Sequence, residues 1–225
     1  MKNNYQLSCN EKLFQHIQIN LKSFEIIAQD RKGVKQAAVA ITIVETGYGT
    51  GVYDMPTYDY WNKNAALILT KRAPKLKSHS GQWAFPGGRM DLGETPEDTA
   101  LRELSEEVGL DLAQDRVIGR LDDFTTRSGF VISPVVIWGG SVMDLVPNPT
   151  EVESIHRIPV EEFMRIDSPI LHENEEGNSP ILLMPVGNSW IAAPTAALIY
   201  QFREVAIMGK ETRVAHFEQP YFAWN

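Results

Sequence analysis

The chain has 225 residues and 43% of them are apolar, enough to bury one sizeable core, and nothing in the pattern calls for a second. Its net charge of −8 disfavours a general nucleic-acid binder, because the molecule as a whole repels polyanions. A single cysteine, Cys9, excludes an internal disulfide framework and fits a reducing compartment. No apolar run approaches the roughly 20 residues of a membrane span. The opening MKNNYQLSCNEK lacks the basic-then-apolar pattern of a signal peptide, so a cytoplasmic protein with no membrane association is expected.

In chain order, residues 11–29 place Leu13, Ile17, Leu21 and Ile26 at roughly helical spacing, predicting an amphipathic helix that packs on the domain or on a partner. Residues 37–44 are β-branched and apolar and predict a strand. Residues 47–64, rich in Gly, Tyr and Asp, read as a loop or a hairpin extension. Short strands are predicted over 65–70, 83–85, 117–121 and 131–138. Pro147-Asn148-Pro149 breaks the chain, a short helix follows over 160–165, and 172–178 is a polar loop. A late strand over 181–185 and an apolar helix over 195–207 complete the list. Strands of this kind with helices on either side predict an α/β/α sandwich around a mixed sheet. The expected organisation is a helical extension over 1–30 and one domain over 31–225, with no internal repeat or linker.

The stretch from Gly88 to Leu110, GRMDLGETPEDTALRELSEEVGL, carries the most chemistry. Thr95-Pro96-Glu97-Asp98 has the form of a helix start: a hydroxyl cap, a proline at the first helical position and acids in the first turn. Gly109 is placed to end the helix. Leu101, Leu104 and Val108 form a stripe for the core. Glu103, Glu106 and Glu107, at i, i+3 and i+4, share another face, where their carboxylates should converge. A charged, solvated face is the ordinary meaning of clustered glutamates. Arg102 beside them, Glu94 upstream and the preceding glycines favour a site instead, a platform for Mg²⁺, which takes carboxylate, water and phosphate oxygens. Arg102 is the natural partner of Glu94 or Glu106 and would orient a carboxylate rather than touch substrate. Gly87 and Gly88, in Phe85-Pro86-Gly87-Gly88, would let a phosphate approach the backbone as well as make a turn.

Written as Gly88, five residues, Glu94, seven residues, then Arg102-Glu103-Leu104-Ser105-Glu106-Glu107-Val108-Gly109-Leu110, the stretch resembles the signature of the Nudix hydrolases at every specified position. The resemblance implies a Nudix-type α/β/α sandwich and hydrolysis of a diphosphate bond in a nucleotide derivative. It also implies Mg²⁺ or Mn²⁺ held by Glu103, Glu106 and Glu107. Upstream, Ile68-Leu69-Thr70-Lys71-Arg72-Ala73, then Lys77, Gly81 and Phe85-Pro86-Gly87-Gly88 resemble the motif of the coenzyme A diphosphatase branch. Lys77 stands where that branch has arginine, which keeps the charge but loses the planar fork.

On that resemblance Arg72 and Lys77 are candidates for phosphate contacts. Lys71 and Lys75 read as solvated, and His79 is balanced between a phosphate contact and an ordinary loop residue. The water-activating base is open: Glu106, Glu151 or Glu153, with Glu173, Glu175 and Glu176 more distant, and for each loop acid solvation is the ordinary reading. His16, His156, His172 and His216 have no distinguishing context, and Trp83 and Trp190 read as core or pocket walls. The expected substrate is coenzyme A or an acyl derivative. Alternatives are a hydrolase of ADP-ribose, NADH or a nucleoside triphosphate, and a nucleotide sensor that does not cut; intact Glu103, Glu106 and Glu107 argue against the last. The helix over 11–29 and the 47–64 segment are candidates for homodimer contacts or substrate lids.

Overall fold

A computed structural model describes residues 7–29, 33–74, 81–173 and 180–218. The first helix, α1 (Glu11–Ser23), is capped by Asn10, whose side chain accepts from Leu13 N, and buries Leu13, Ile17 and Leu21. It stops short of the predicted end because the next residues extend: Ile27 N and Gln29 N donate to the carboxylates of Asp122 and Asp123 at 2.8 and 3.1 Å. An extended segment satisfied from outside has no use for helical hydrogen bonds.

Strands β1 (Lys35–Gly49) and β2 (Thr57–Arg72) form a long antiparallel hairpin, so most of the 47–64 segment is hairpin rather than loop. Positive φ at Gly47 and Gly49 coincides with shifts in the strand register, a role that suits glycine. Beyond Ile43↔Leu67 the two strands part. The gap takes two short strands: β3 (Trp83–Ala84) pairs with the end of β2, and β4 (Gly87–Arg89) pairs with the start of β1. Between them Pro86 O accepts from Ala40 N at 2.8 Å. The Phe85-Pro86-Gly87-Gly88 run is therefore stitched into the sheet, not a free turn.

After α2 (Pro96–Val108) come β5 (Val117–Arg120), β6 (Phe124–Thr125) and β7 (Phe130–Gly140), the last lying parallel to β1 along nearly its whole length. Strand β8 (Val152–Pro159), which the sequence reading missed, pairs with the end of β2 from Ala66↔Pro159 to Arg72↔Val152. A 3-10 turn over Val160–Met164 stands where the short helix was predicted. Strands β9 (Ile170–His172), β10 (Ile181–Val186) and β11 (Ser189–Ala192) make a separate antiparallel sheet. Helix α3 (Thr195–Phe202) runs on into a π-helical turn over Arg203–Ile207.

The large mixed sheet separates two apolar layers. Ala38, Ala40, Val44, Ala66 and Ile68 face Ala100, Leu104 and Val108 of α2. Ile41, Ile43, Leu67 and Leu69 face the other side, with α1, α3 and the small sheet. The alternation along β1 and β2 assigns each residue to its layer, and helices on both faces make the predicted α/β/α arrangement. Helix α1 belongs to that second layer: His16 Nε2 lies 2.8 Å from Ile207 O, and Asn20 Nδ2 donates to Ala206 O at 2.9 Å.

Candidate active site

Helix α2 is held at both ends as its sequence predicts. Thr95 and Asp98 form a reciprocal capping box, Pro96 opens the first turn, and Gly109 closes the helix at φ 68°, donating to Ser105 O. Leu104 and Val108 are buried, and Leu101 is only half-buried at the edge of the layer.

Arg102 organises the exposed side of this helix. Its Nε and Nη2 grip Glu94 Oε1 and Oε2 at 2.7 and 3.0 Å, a bidentate pair. Nη1 donates to Glu103 Oε1 at 2.8 Å and to Glu106 Oε2 at 3.1 Å, while Nη2 also reaches Arg89 O. One guanidinium thus binds both of its predicted partners and Glu103 besides. Glu94, with further bonds from Thr99 Oγ1 and Asp91 N, is held far below the usual carboxylate range, at about 2, first by Arg102.

The three glutamates occupy unlike settings. Glu106 is exposed, Glu103 is half-buried and Glu107 is buried. Burial raises Glu103, against the opposing pull of Arg102. Burial, and then the charge of Glu103, push Glu107 up to about 8; Arg72 and a hydrogen bond from the Gly87 N–H act in the other direction. Their expected convergence is not what the side chains show: among the described residues no three His, Cys, Asp or Glu side chains close on a common point. The physical reason is Arg102, which draws Glu103 and Glu106 to itself. In donor chemistry the residues nonetheless fit a hard divalent cation: Glu103, Glu106 and Glu107 put carboxylate oxygens on one side of α2, and the buried Glu107 has the like charge of Glu103 acting on it.

The glycines are tied to these acids. A Cβ on Gly88 would collide with the Glu103 carboxylate, and one on Gly87 would meet Ala38 O and Val39. Both absences are thus filled by protein atoms, where the sequence reading held them open for a phosphate. Gly87 instead contributes its N–H to Glu107.

Arg72 ends β2 and faces Glu107; its buried Nε has no hydrogen-bond partner among the described residues. Glu151 enters from the loop before β8. Val146 N and Asn148 N donate to Val108 O and Glu107 O at 2.9 Å each, and Glu151 O accepts from Ala73 N. The charge of Glu151 acts on both Glu103 and Glu107. Glu153, by contrast, acts on His156 and lines a separate cleft, and Glu173 follows β9 in the small sheet. Lys75, Lys77, His79, Glu175 and Glu176 lie outside the described residues.

Three side chains take settings that their sequence context alone did not specify. Lys71 is half-buried with its ammonium 5.0 Å from the centre of the Trp83 ring, not a solvated lysine. His156 is buried against Trp83, ring centres 4.9 Å apart. The β-branched residues Val152, Ile155 and Ile158 were the available signal for the missed strand. Trp190 is 44% exposed and is not core.

Comparison with known proteins places the chain among close likenesses in sequence. The NUDIX domain family model matches residues 59–180, more than half of the chain. "Nudix hydrolase 3" of Caenorhabditis elegans is 39% identical over 107 residues, covering 44% of this chain and 43% of that protein. "Nudix hydrolase 15, mitochondrial" of Arabidopsis thaliana is 32% identical over 149 residues, covering 65% of this chain and 47% of its own length. An "Uncharacterized Nudix hydrolase NudL" of Pectobacterium atrosepticum is 33% identical, covering 60% of this chain and 72% of that one. The chain therefore spans about half the length of the first two relatives. In structure, a MutT/nudix family protein from Enterococcus faecalis superposes with a TM-score of 0.52 at 17% identity, covering 82% of this chain and 66% of that one, a likeness of fold.

Proposed function

The chain belongs to the Nudix family, and on that footing we propose that it hydrolyses a diphosphate bond in a nucleotide derivative in a metal-dependent reaction, with coenzyme A or acyl-coenzyme A as the substrate. The observation that carries the reading is the pairing of the buried Glu107 carboxylate on α2 with Arg72, whose buried Nε has no hydrogen-bond partner among the described residues. A buried unpaired donor costs about 1–3 kcal/mol, and an incoming phosphate oxygen would relieve it.

A divalent cation held by Glu103, Glu106 and Glu107 would neutralise the diphosphate oxygens and orient a water for in-line attack on phosphorus. The chain's own groups do the rest. Arg72 holds a diphosphate oxygen beside the carboxylates and keeps the scissile group at the end of β2. Arg102, gripped by Glu94, positions Glu103 and Glu106 and does not touch substrate. Glu151, exposed at the mouth and electrostatically coupled to Glu103 and Glu107, is the carboxylate that takes the proton from the attacking water. Coenzyme A would then yield adenosine 3′,5′-bisphosphate and 4′-phosphopantetheine.

The coenzyme A assignment rests on the segment from Ile68 to Gly88. The test is product identification by mass spectrometry after incubation with Mg²⁺ or Mn²⁺ and coenzyme A, acetyl-coenzyme A, dephospho-coenzyme A, ADP-ribose, NADH and dGTP. Preferential release of 4′-phosphopantetheine supports it. Preferential cleavage of ADP-ribose or NADH would leave the diphosphatase reading standing and overturn the substrate, and no cleavage of any of them would overturn both.

A further inference from the structure

Glu151 is exposed and precedes β8 by one residue, so neither burial nor the sheet fixes the direction of its side chain. The loop that carries it, residues 141–151, is turned toward α2 by Asn148. Pro147 and Pro149 have no N–H, so across these three residues Asn148 alone can donate from the backbone. It donates to Glu107 O at 2.9 Å, which fastens the loop to the peptide of the buried acid on α2. Asn148 O accepts from Glu151 N at 3.1 Å and from Val152 N at 2.8 Å, closing a turn that delivers the acid. The side chain completes that turn: Oδ1 accepts from Thr150 N at 3.2 Å and from Thr150 Oγ1 at 2.7 Å. An asparagine bonded in this way to the N–H two residues on forms a turn of its own with its side chain.

On the other side Glu151 O accepts from Ala73 N at 2.9 Å, and Val152 pairs with Arg72 in the sheet. The backbone of Glu151 is thus held between Glu107 and the end of β2, the two places that the proposed reaction sets against the cation and the diphosphate. Of the bonds made by Asn148, only those of Oδ1 depend on its side chain. Thr150 is exposed, so water can replace Oδ1 at little cost in stability. What water does not replace is the tie between residues 148 and 150, and with it the direction in which Glu151 leaves the turn.

We propose that Asn148 is a positioning residue: its side chain holds the turn that aims the Glu151 carboxylate at the attacking water, without itself touching substrate. The proposal rests on the diphosphatase function proposed above, with Glu151 as the base. A reacting group displaced by about 1 Å can lose on the order of a hundredfold in rate, so order in this turn bears on turnover far more than on folding.

The test is a double-mutant cycle on the full chain. Hydrolysis of coenzyme A and of ADP-ribose with Mn²⁺ is followed for wild type, Asn148→Ala, Glu151→Gln and the double variant, with urea unfolding of each. Asn148→Ala should lower kcat about 10–100-fold while KM and the urea midpoint stay at wild-type values. Glu151→Gln should lower kcat about 100-fold or more, and adding Asn148→Ala to it should cost nothing further, because the group being positioned is already gone. Asn148→Asp, which keeps the acceptor for Thr150, should recover most of the loss. The same fractional loss in both backgrounds, a loss that follows the urea midpoint, or no recovery in Asn148→Asp would each overturn the positioning role and leave Glu151 as the base. Near-normal turnover of Glu151→Gln would overturn the base and Asn148 with it, and no hydrolysis of either compound by wild type would overturn the diphosphatase reading as well.

Discussion

The Glu103 carboxylate fills the space that a side chain at Gly88 would need, so strand β4 and helix α2 meet at a glycine and an acid. Gly88→Ala should therefore displace Glu103 from Arg102 while the strand pairing persists. We expect turnover to fall about tenfold or more, the scale of a disturbed metal-ligand environment. Circular dichroism should be unchanged, and wild-type kinetics in this variant would remove Glu103 from the mechanism.

Glu94 acts at a distance through Arg102. Replacing it by Gln removes the charge from the bidentate pair, and the freed guanidinium is left to hold Glu103 and Glu106 alone. Cation affinity should drop by roughly 10–100-fold, read as a rightward shift in a Mn²⁺ titration of activity. An unshifted titration would mean that Glu94 serves only the loop.

Arg72→Lys keeps the charge and loses the fork. KM for the diphosphate substrate should rise about tenfold, with a smaller effect on kcat, and Arg72→Met should be worse. A change confined to thermal stability in both variants would reassign Arg72 to a structural role.

The folded-state pKa of Glu107 is about 8, above its unfolded value, because burial and Glu103 oppose its ionisation. The folded chain therefore binds more protons than the unfolded one between those two values. In chelator, stability should fall as pH rises from about 4.5 toward 8 and level off above, by an amount on the order of a few kcal/mol. Glu107→Gln should flatten that part of the profile in urea unfolding, and should also cost several orders of magnitude in rate. A pH profile identical to wild type would show that Glu107 ionises freely in the fold.

Much of the site was legible because its determinants are local. Thr95, Pro96, Asp98 and Gly109 specify the start and end of α2 through bonds within a turn of themselves, and the period of Leu104 and Val108 states which face is buried. The spacing of Glu103, Glu106 and Glu107 placed them on one side of that helix. The β-branched, apolar runs over 37–44 and 131–138 likewise announced strands without reference to anything distant.

What the sequence by itself determined, then, was this helix, its acids and the α/β class. Only the tertiary structure decided how the acids differ. Helical spacing treats Glu106 and Glu107 as near equals, yet one is exposed and the other buried beneath Gly87, because burial is set by which strand packs alongside. The same holds for Lys71, half-buried over Trp83, and for His156, whose proton is fixed by Thr50 more than 100 residues earlier in the chain. Charge, burial and tautomer depend on neighbours brought together by the sheet, and that information is long-range in the chain however short-range it is in space.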